Sequence, residues 1–332
     1  MEGVMMRLLS IILVTAASIW GGYWFVGSTA VEKGLGTWLA EAPSNGLAAE
    51  YSTLETRGFP NRFDTTIKDI SFSHAATGIT WQAPFFRLFA LSYKPNHIIA
   101  VWPESQRVIL PEITLDIMSE DMRGSVVFEP NTSFAIDRTR LSIDELAVVP
   151  EGFTQFGAEH AFFASRQTTA RPFAHDISVQ LSMLELPEPL QEMLNPASKF
   201  PNKIDGLTID ATLGLTAPLG RLSEGDQPPV ISDVSLKTVR IDWGELELSL
   251  SGTLNADDLG YAEGTLDLHA ANWREVFQLL VKLGLVEPAW EGALAPLSKD
   301  VDGVATLDIP LTFENQVFYF GPLSFGTAPR LR

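Results

Sequence analysis

The sequence predicts a mainly β protein with a minor helical content, in which an N-terminal transmembrane helix precedes long, bent antiparallel β-sheets and a few short helices. Two observations lead to this prediction. The first is an uncharged apolar run, Leu8–Val26, near the start of the 332-residue chain. The second is an alternation of apolar and polar residues that recurs after residue 50 and is typical of strands with one buried face.

The apolar run Leu8–Val26 is long enough to cross the hydrocarbon core of a bilayer as a helix. Its far end carries Trp20, Tyr23, Trp24 and Phe25, which are typical of the aromatic belt at a membrane–water interface. The run therefore predicts that the chain is attached to a membrane.

A cleaved signal peptide is the alternative interpretation, because Ser28-Thr29-Ala30 places small residues at a possible cleavage site. The apolar run is longer than a usual signal core, which favours an uncleaved anchor over residues 1–30. Arg7 before the run and Lys33 after it weakly favour a cytoplasmic amino terminus. The sequence thus predicts a single span followed by a large folded part outside the cytoplasm.

Residues 31–48 are predicted to form a juxtamembrane amphipathic helix, lying on the membrane or docked on the folded part. Its apolar stripe at helical spacing consists of Val31, Leu35, Trp38, Leu39 and Ala42. A continuation of the anchor helix, packed on the body, is an equal alternative.

The overall charge and the absence of cysteine exclude several classes of function. The formal net charge is −18 and no cluster of Lys or Arg interrupts it, so nucleic acid and anionic membrane surfaces are poor partners for the body. The absence of cysteine excludes disulfides, thiolate metal sites and cysteine nucleophiles.

The alternating runs argue for antiparallel sheet with one wet face. They cover residues 63–72, 85–93, 108–117, 133–149, 176–183, 207–216, 264–270 and 305–314. A Pro-containing joint at 196–201 suggests a division into a first β-rich part, 49–200, and a second, 201–332. Short helices are predicted over 187–194 and over 272–284, the latter with Asn272 as its N-cap.

The apolar residues of 239–254 change phase at Gly244-Glu245. We interpret this stretch as one long strand that is bent by a β-bulge at Gly244, because a bulge restores the buried face after a one-residue slip. The strand is predicted to turn at 255–260 and to pair with 261–270.

The sequence contains no recognisable catalytic constellation, so we predict no catalytic residues, no metal site and no cofactor. No serine lies in a G-x-S-x-G elbow and no two histidines are spaced as metal ligands on a helix. The five histidines are His74, His97, His160, His175 and His269.

Aromatic and leucine-rich strands offer a different kind of site. They predict an apolar groove for acyl chains, since binding sites are mostly apolar and concave; an ordinary core is the alternative interpretation. The candidate lining residues are Trp81, Phe85, Phe86, Phe89, Trp102, Trp243, Leu246, Leu248 and Leu250.

Three segments carry a resemblance to a known family: Arg57–Asp64 (RGFPNRFD), Ala83–Phe86 with Tyr93–His97 after it, and the ending Phe318–Gly326. Together with the anchor they resemble an alphaproteobacterial family, the domain of unknown function numbered twenty-one twenty-five. The resemblance covers nearly the whole chain, implies a location in the bacterial envelope and supplies no catalytic residues. It leads us to expect a single-pass protein of the bacterial inner membrane with most of its chain in the periplasm.

The strands around 204–270 and 303–326 also resemble, at the level of fold alone, envelope proteins of the AsmA and TamB type. Those proteins have one N-terminal span and an extended β-groove associated with phospholipid traffic. We therefore expect a non-catalytic envelope protein that is anchored through Leu8–Val26 and binds or shields a lipid acyl chain or another apolar component. The alternative is a structural or assembly factor that contacts a protein partner through exposed sheet edges, and a hydrolase is third.

Overall fold

The computed structural model confirms a mainly antiparallel β protein with a long N-terminal helix and a few short helices. The chain forms two compact units, Met1–Val127 (unit 1) and Phe128–Arg332 (unit 2). The structure describes residues 2–41, 46–131, 134–195, 199–220, 228–321 and 323–332.

Unit 1 begins with helix α1 (Glu2–Glu41), which runs unbroken through the predicted anchor and into the predicted juxtamembrane helix. The structure thus has the alternative form, one continuous helix. Residues 42–45 of the predicted 31–48 segment lie outside the described residues. From Val4 onwards α1 is long and apolar enough to cross a membrane. The side chains from Val4 to Trp20 are exposed.

Among the described residues of unit 1, eight strands follow α1 and form an antiparallel meander in which β1 with β2, β5 with β6 and β7 with β8 each act as one split strand. The strands are β1 (Leu47–Glu50), β2 (Thr53–Arg57), β3 (Arg62–His74), β4 (Ile79–Leu91), β5 (Lys94–Val101), β6 (Ser105–Ile109), β7 (Thr114–Met118) and β8 (Asp121–Phe128). Both β1 and β2 pair with β3, and both β5 and β6 pair with β4. The run predicted over 108–117 is split, because a turn around Pro111 separates β6 from β7.

A line of interruptions crosses this sheet from strand to strand. Asp69, with a φ of 48°, and Pro84 lie opposite each other in a gap of the β3–β4 register. The breaks between β1 and β2, between β5 and β6 and between β7 and β8 continue the same line. The apolar face of β4 accordingly changes parity at Pro84, with Trp81 and Ala83 before it and Phe86 after it.

The second half of α1 docks on this sheet. Trp24 and Leu39 are buried, and the indole N–H of Trp24 donates a hydrogen bond of 2.7 Å to the carbonyl oxygen of Arg62. The Glu32 carboxylate accepts the main-chain N–H of Thr56 on β2. Since β2 pairs with β3 on one side only, this bond satisfies a donor at the open edge of the sheet.

Gly27 lies where α1 and the sheet approach most closely. A Cβ at this position would lie 2.6 Å from the ring of Phe63, whose side chain is itself buried. The missing side chain is therefore a requirement of the contact between helix and sheet.

Unit 2 is a second antiparallel meander, with two turns of 3₁₀ helix at 288–290 and 295–297. Its strands are β9 (Ile136–Pro150), β10 (Phe156–Gln167), β11 (His175–Glu185), β12 (Lys203–Leu215), β13 (Ile231–Trp243), β14 (Leu246–Ala256), β15 (Ala262–Ala271), β16 (Lys299–Val301), β17 (Val304–Glu314), β18 (Val317–Phe320) and β19 (Leu323–Thr327). Its helices are α2 (Glu188–Leu194), α3 (Trp273–Lys282) and α4 (Glu291–Leu294).

The two units divide at 127/128, whereas the sequence placed a joint at 196–201. The strands on either side of that joint, β11 and β12, pair along most of their length, from His175 with Leu213 to Glu185 with Lys203. A proline-containing connection therefore joins two neighbouring strands of one sheet, and residues 196–198 within it lie outside the described residues.

The prediction of one bent strand through Gly244 is wrong. Trp243 and Leu246 are register partners, so Gly244-Glu245 is the two-residue turn of a hairpin between β13 and β14. A turn of two residues produces the same phase switch as a bulge, because the residues that flank it share one face. The positive φ of Gly244, 59°, is the value that such a turn requires at its first position.

The predicted helices and the turn at 255–260 are present, but the predicted cap is not. Asn272 precedes α3 with a φ of 51° and makes no side-chain capping bond. Its amide nitrogen instead donates to the carbonyl oxygen of Glu245, at 2.7 Å, and so ties the helix to the β13–β14 turn.

Replacing Gly244 by Val should lower the free energy of unfolding by roughly 1–3 kcal/mol, because a β-branched residue is strained at positive φ. Urea-induced unfolding of the detergent-solubilised chain measures this. Gly244→Asn is the matched control: Asn tolerates positive φ, and either Cβ would lie 2.9 Å from the Pro201 ring. A Val variant as stable as the Asn variant would contradict a conformational role for Gly244.

Replacing Gly27 by Leu should release the second half of α1 from unit 1, because a Cβ at this position would lie 2.6 Å from the Phe63 ring and a whole leucine side chain would have to fit between helix and sheet. Hydrogen exchange at the amide of Thr56 reports this release, because the amide would lose its Glu32 acceptor. Gly22→Leu is the control, since a Cβ at Gly22 has nothing within 4 Å. Equal protection of Thr56 in both variants would show that the close approach does not hold the helix.

Candidate functional site

The most extended apolar surface of unit 2 is one face of its sheet, which we call the apolar face. Two adjacent rows of register partners define it across β9–β15 and β17. The first row is Leu141, Phe163, Val179, Ile209, Val239, Leu250, Leu268 and Ile309, and the second is Ile143, Ala161, Leu181, Leu207, Ile241, Leu248, Ala270 and Leu307. Directly paired residues share a face, so sixteen apolar side chains lie side by side.

The opposite face is polar across the same strands. The row between the two apolar rows consists of Ser142, Phe162, Gln180, Thr208, Arg240, Ser249, His269 and Asp308. Arg240 donates to Asp242 at 2.9 Å and contacts Glu247 at 3.1 Å, and the hydrogen bond that it donates to the Asp242 carboxylate raises the pKa of Arg240. The polar face can therefore be exposed to water, whereas the apolar face must be covered by something other than water.

Helices cover one end of the apolar face. Trp273, Val276 and Phe277 of α3 are buried against β14, β15 and β17, and Leu194 and Leu294 from α2 and α4 join the same core. In this region Ala270, Leu307 and Ile309 are deeply buried, at 2–3% exposure, and the half-buried Leu248, Leu250 and Leu268 pack against the same core.

The other end of the apolar face is more open. Val179, Ile209 and Val239 are only half-buried and lie outside the helix-covered core, and 36% of Phe163 is exposed. Along the first row, burial thus falls from Ile309 on β17 towards Phe163 on β10. In the second row Leu207 is less buried than Leu307, whereas Ala161 on β10 stays buried at 8% exposure. The half-covered end presents a contiguous apolar surface of a kind that folded proteins seldom leave without a role.

Unit 1 contains a separate apolar cavity of about 310 Å³ between α1 and its sheet. Ala30, Val31, Gly34 and Leu35 of α1 form one wall. The strands supply Phe63, Thr65, Leu88, Phe89, Ala90, Pro95 and Ile98. The volume is at the lower end of the range for small-molecule sites, and apart from Thr65 the lining residues offer a ligand apolar side chains.

The structure divides the predicted aromatic lining of unit 1 between the two faces of β4. Trp81 and Phe86 pack in a T-shaped pair at 5.8 Å, and Trp102 lies 5.2 Å from Phe86. Phe85 lies beneath the Arg87 guanidinium at 4.4 Å, on the opposite face. Phe89 contributes to the wall of the cavity.

The predicted lining residues of unit 2 lie in or beside the helix-covered core. Trp243 and Leu246 are buried, and the Trp243 indole N–H donates to the carbonyl oxygen of Pro201 at 2.8 Å. Leu248 and Leu250 belong to the two rows of the apolar face and pack against the edge of the core. The open end of the face was missed: its alternation is visible in 176–183 and 207–216, but the sequence does not show which strands the helices cover.

One Ser–His pair superficially resembles part of a hydrolytic site. The Ser165 hydroxyl lies 3.0 Å from Nδ1 of His175. Both side chains are buried, His175 almost completely, and burial lowers the pKa of His175 below 6.5 against the opposing charges of Asp137 and Asp176. The pair is a closed structural hydrogen bond.

The other titratable clusters are hydrogen-bonded pairs on the surface. Nδ1 of His160 lies 2.7 Å from Asp144, and Nδ1 of His269 lies 2.7 Å from Asp308. Among the described residues, no three His, Asp or Glu side chains are grouped so that they could hold a metal ion.

The comparison with protein families matches residues 24–329 to DUF2125, described as an uncharacterized protein conserved in bacteria. The chain belongs to this family. The match confirms the resemblance inferred from the three sequence segments and extends over both units of the DUF2125 fold. No curated protein and no solved structure matches the chain, and the fold-level likeness to AsmA and TamB stays a prediction.

As the pH is lowered below about 6.5, the free energy of unfolding of this DUF2125 protein should decrease. The reason is that His175 binds a proton in the unfolded chain and stays neutral in the folded chain. This contribution of His175 is complete above 6.5 and is lost as the pH falls through the lowered pKa. His175→Gln should remove that part of the pH dependence in thermal unfolding between pH 7 and about 5.

Ser165→Ala is the control for this experiment, because it removes the hydrogen bond and leaves the imidazole buried. It should lower stability at every pH and keep the slope. An unchanged slope in His175→Gln would show that other groups govern acid sensitivity.

Proposed function

We propose that this DUF2125 protein is a non-catalytic, membrane-anchored protein of the bacterial envelope that binds lipid acyl chains on the open end of the apolar face. The single observation that carries the proposal is the decline in burial along the first row, from Ile309 at 3% to Phe163 at 36% exposure. An uninterrupted row of aliphatic side chains offers no directional bond, so its natural ligand is long, flexible and apolar.

The candidate membrane helix supports a lipid as this ligand. α1 belongs to the same chain as the apolar face, and its exposed part is of membrane-spanning length. A protein held at a bilayer meets lipid at a far higher local concentration than any other apolar compound. We place the body on the periplasmic side of the inner membrane, following the usual layout of one span and a large exported domain.

The hydrogen-bonding and burial of the polar groups support a role without catalysis. The hydroxyl and imidazole that most resemble a catalytic pair, Ser165 and His175, are closed to substrate. The charged side chains of Arg240 and Asp242 are paired with each other on the polar face, away from the apolar rows.

Replacing Val179 by Glu should reduce lipid binding at least about tenfold, because a carboxylate in an apolar site loses several kcal/mol of hydration. The measurement is photo-crosslinking of the full chain in vesicles to a phosphatidylethanolamine with a diazirine in its acyl chain, followed by peptide mapping. Adducts on β11 and β12 support the proposal. This mapping separates ligand from the lipid that surrounds α1, which co-purification does not.

Gln180→Glu is the matched control, since it places the same charge one residue away, exposed on the polar face. It should leave the adducts on β11 and β12 unchanged. Adducts confined to α1 in the unsubstituted protein would refute lipid binding on the apolar face and favour the alternative of an assembly factor that contacts a protein partner.

A further inference from the structure

We propose that one end of unit 1 inserts into the interfacial layer of the bilayer that α1 crosses. This end, which we call the loop end, consists of the β2–β3 loop, residues 58–61, and the β4–β5 turn, Ser92-Tyr93. The inference depends on α1 spanning the membrane and is independent of ligand binding by unit 2. It assigns the protein a second contact with lipid besides the helix.

Aromatic hydrogen bonds hold the loop end against α1. The indole N–H of Trp20 donates to the carbonyl oxygen of Pro60 at 3.0 Å, and the hydroxyl of Tyr23 donates to the carbonyl oxygen of Ser92 at 2.6 Å. The bond from Trp24 to the carbonyl of Arg62 lies next to them. Three donors over little more than one helical turn fix the level of the loop end along the helix axis.

This level lies within the apolar run. The run ends at Val26, and the first contact with the loop end is made by Trp20. At 1.5 Å per residue, the helix rises about 9 Å between these two positions. If the run fills the hydrocarbon core, the loop end reaches to about that depth, which is the depth at which interfacial segments of peripheral proteins lie.

The side chains at the loop end match that environment. Phe59 is 56% exposed and Tyr93 is 64% exposed, beside Phe25 of α1 at 63%. The Phe59 ring stacks on Phe25 at 5.9 Å, which extends the aromatic belt from the helix onto the body. Large aromatic rings at one level, around the end of an apolar helix, are typical of a membrane–water interface.

The main chain at the loop end is also suited to an apolar neighbour. The N–H of Ser92 donates to the carbonyl oxygen of Asn61 at 2.9 Å, so the two loops satisfy each other. The carbonyls of Pro60 and Ser92 are the acceptors of the α1 aromatics. Backbone groups that enter a bilayer must be bonded within the protein, and these groups are.

The absence of cysteine allows a direct test on the full chain. Phe59→Cys and Tyr93→Cys each provide one site for a fluorophore, and both leave the main-chain acceptors of Pro60 and Ser92 in place. The labelled protein is reconstituted in vesicles of phosphatidylethanolamine and phosphatidylglycerol that contain a lipid with a doxyl quencher. Iodide in the buffer serves as the aqueous quencher.

Two control positions complete the design. Ser10→Cys lies in the exposed part of α1 and reports whether the helix is in the bilayer. Ala76→Cys is exposed in the β3–β4 turn, at the opposite end of β4 from Tyr93. At 3.3 Å per residue along the thirteen residues of β4, that turn is about 40 Å from the loop end.

We expect lipid quenching at positions 10, 59 and 93 and iodide quenching at position 76. Lipid quenching at position 10 alone would overturn the proposal while preserving the anchor. The absence of lipid quenching at position 10 would refute both the membrane anchor and the proposal. Shielding of positions 59 and 93 from both quenchers would indicate a protein occupant and would also overturn the proposal.

Discussion

The side chains of an antiparallel strand point alternately to the two faces of its sheet. An apolar face must therefore be covered by a second layer of protein, or it remains exposed to the surroundings of the molecule. This constraint governs both units. In unit 1 the second layer is the C-terminal half of α1, whose Trp24 and Leu39 side chains are buried against the sheet. In unit 2 it is the group of short helices around Trp273. Those helices are too short to cover a row of eight paired strands. The length of the covering helices, rather than the pattern of the strands, therefore determines how much apolar surface stays open.

The single helix α1 combines functions that other folds divide among several elements. Its first part is exposed and of membrane-spanning length, its aromatic turn bonds to loop carbonyls, and Glu32 satisfies the edge of β2. These contacts follow one another along one unbroken helix, so hydrogen bonds and packing at fixed positions on that helix set the position of the sheet relative to the apolar run. Gly27 allows this helix to lie directly on Phe63.

Local patterns predicted the strands, the apolar helix, the helices near 187–194 and 272–284 and the family, because each depends on residues close in sequence. The errors arose where two structures give one pattern. A bulge and a two-residue turn both switch the phase at Gly244, and only pairing between Trp243 and Leu246 distinguishes them. The open end of the apolar face was not predictable for a related reason. Ile209 and Ile309 stand in similar alternating runs, but the first is half-buried and the second lies at 3% exposure in the core that the helices cover.

The order of strand pairing has a consequence for how the chain acquires its structure. In both units nearly every strand pairs with the one that precedes or follows it, from β2 with β3 through β14 with β15. Contacts between near neighbours in sequence close small loops and favour rapid folding. A chain that emerges from a ribosome or a translocation channel with its amino terminus first can therefore add each strand to the growing edge as it appears. In vectorial assembly of this kind the only unpaired edges are the one at which the sheet began and the one to which the next strand is added, which limits aggregation during delivery.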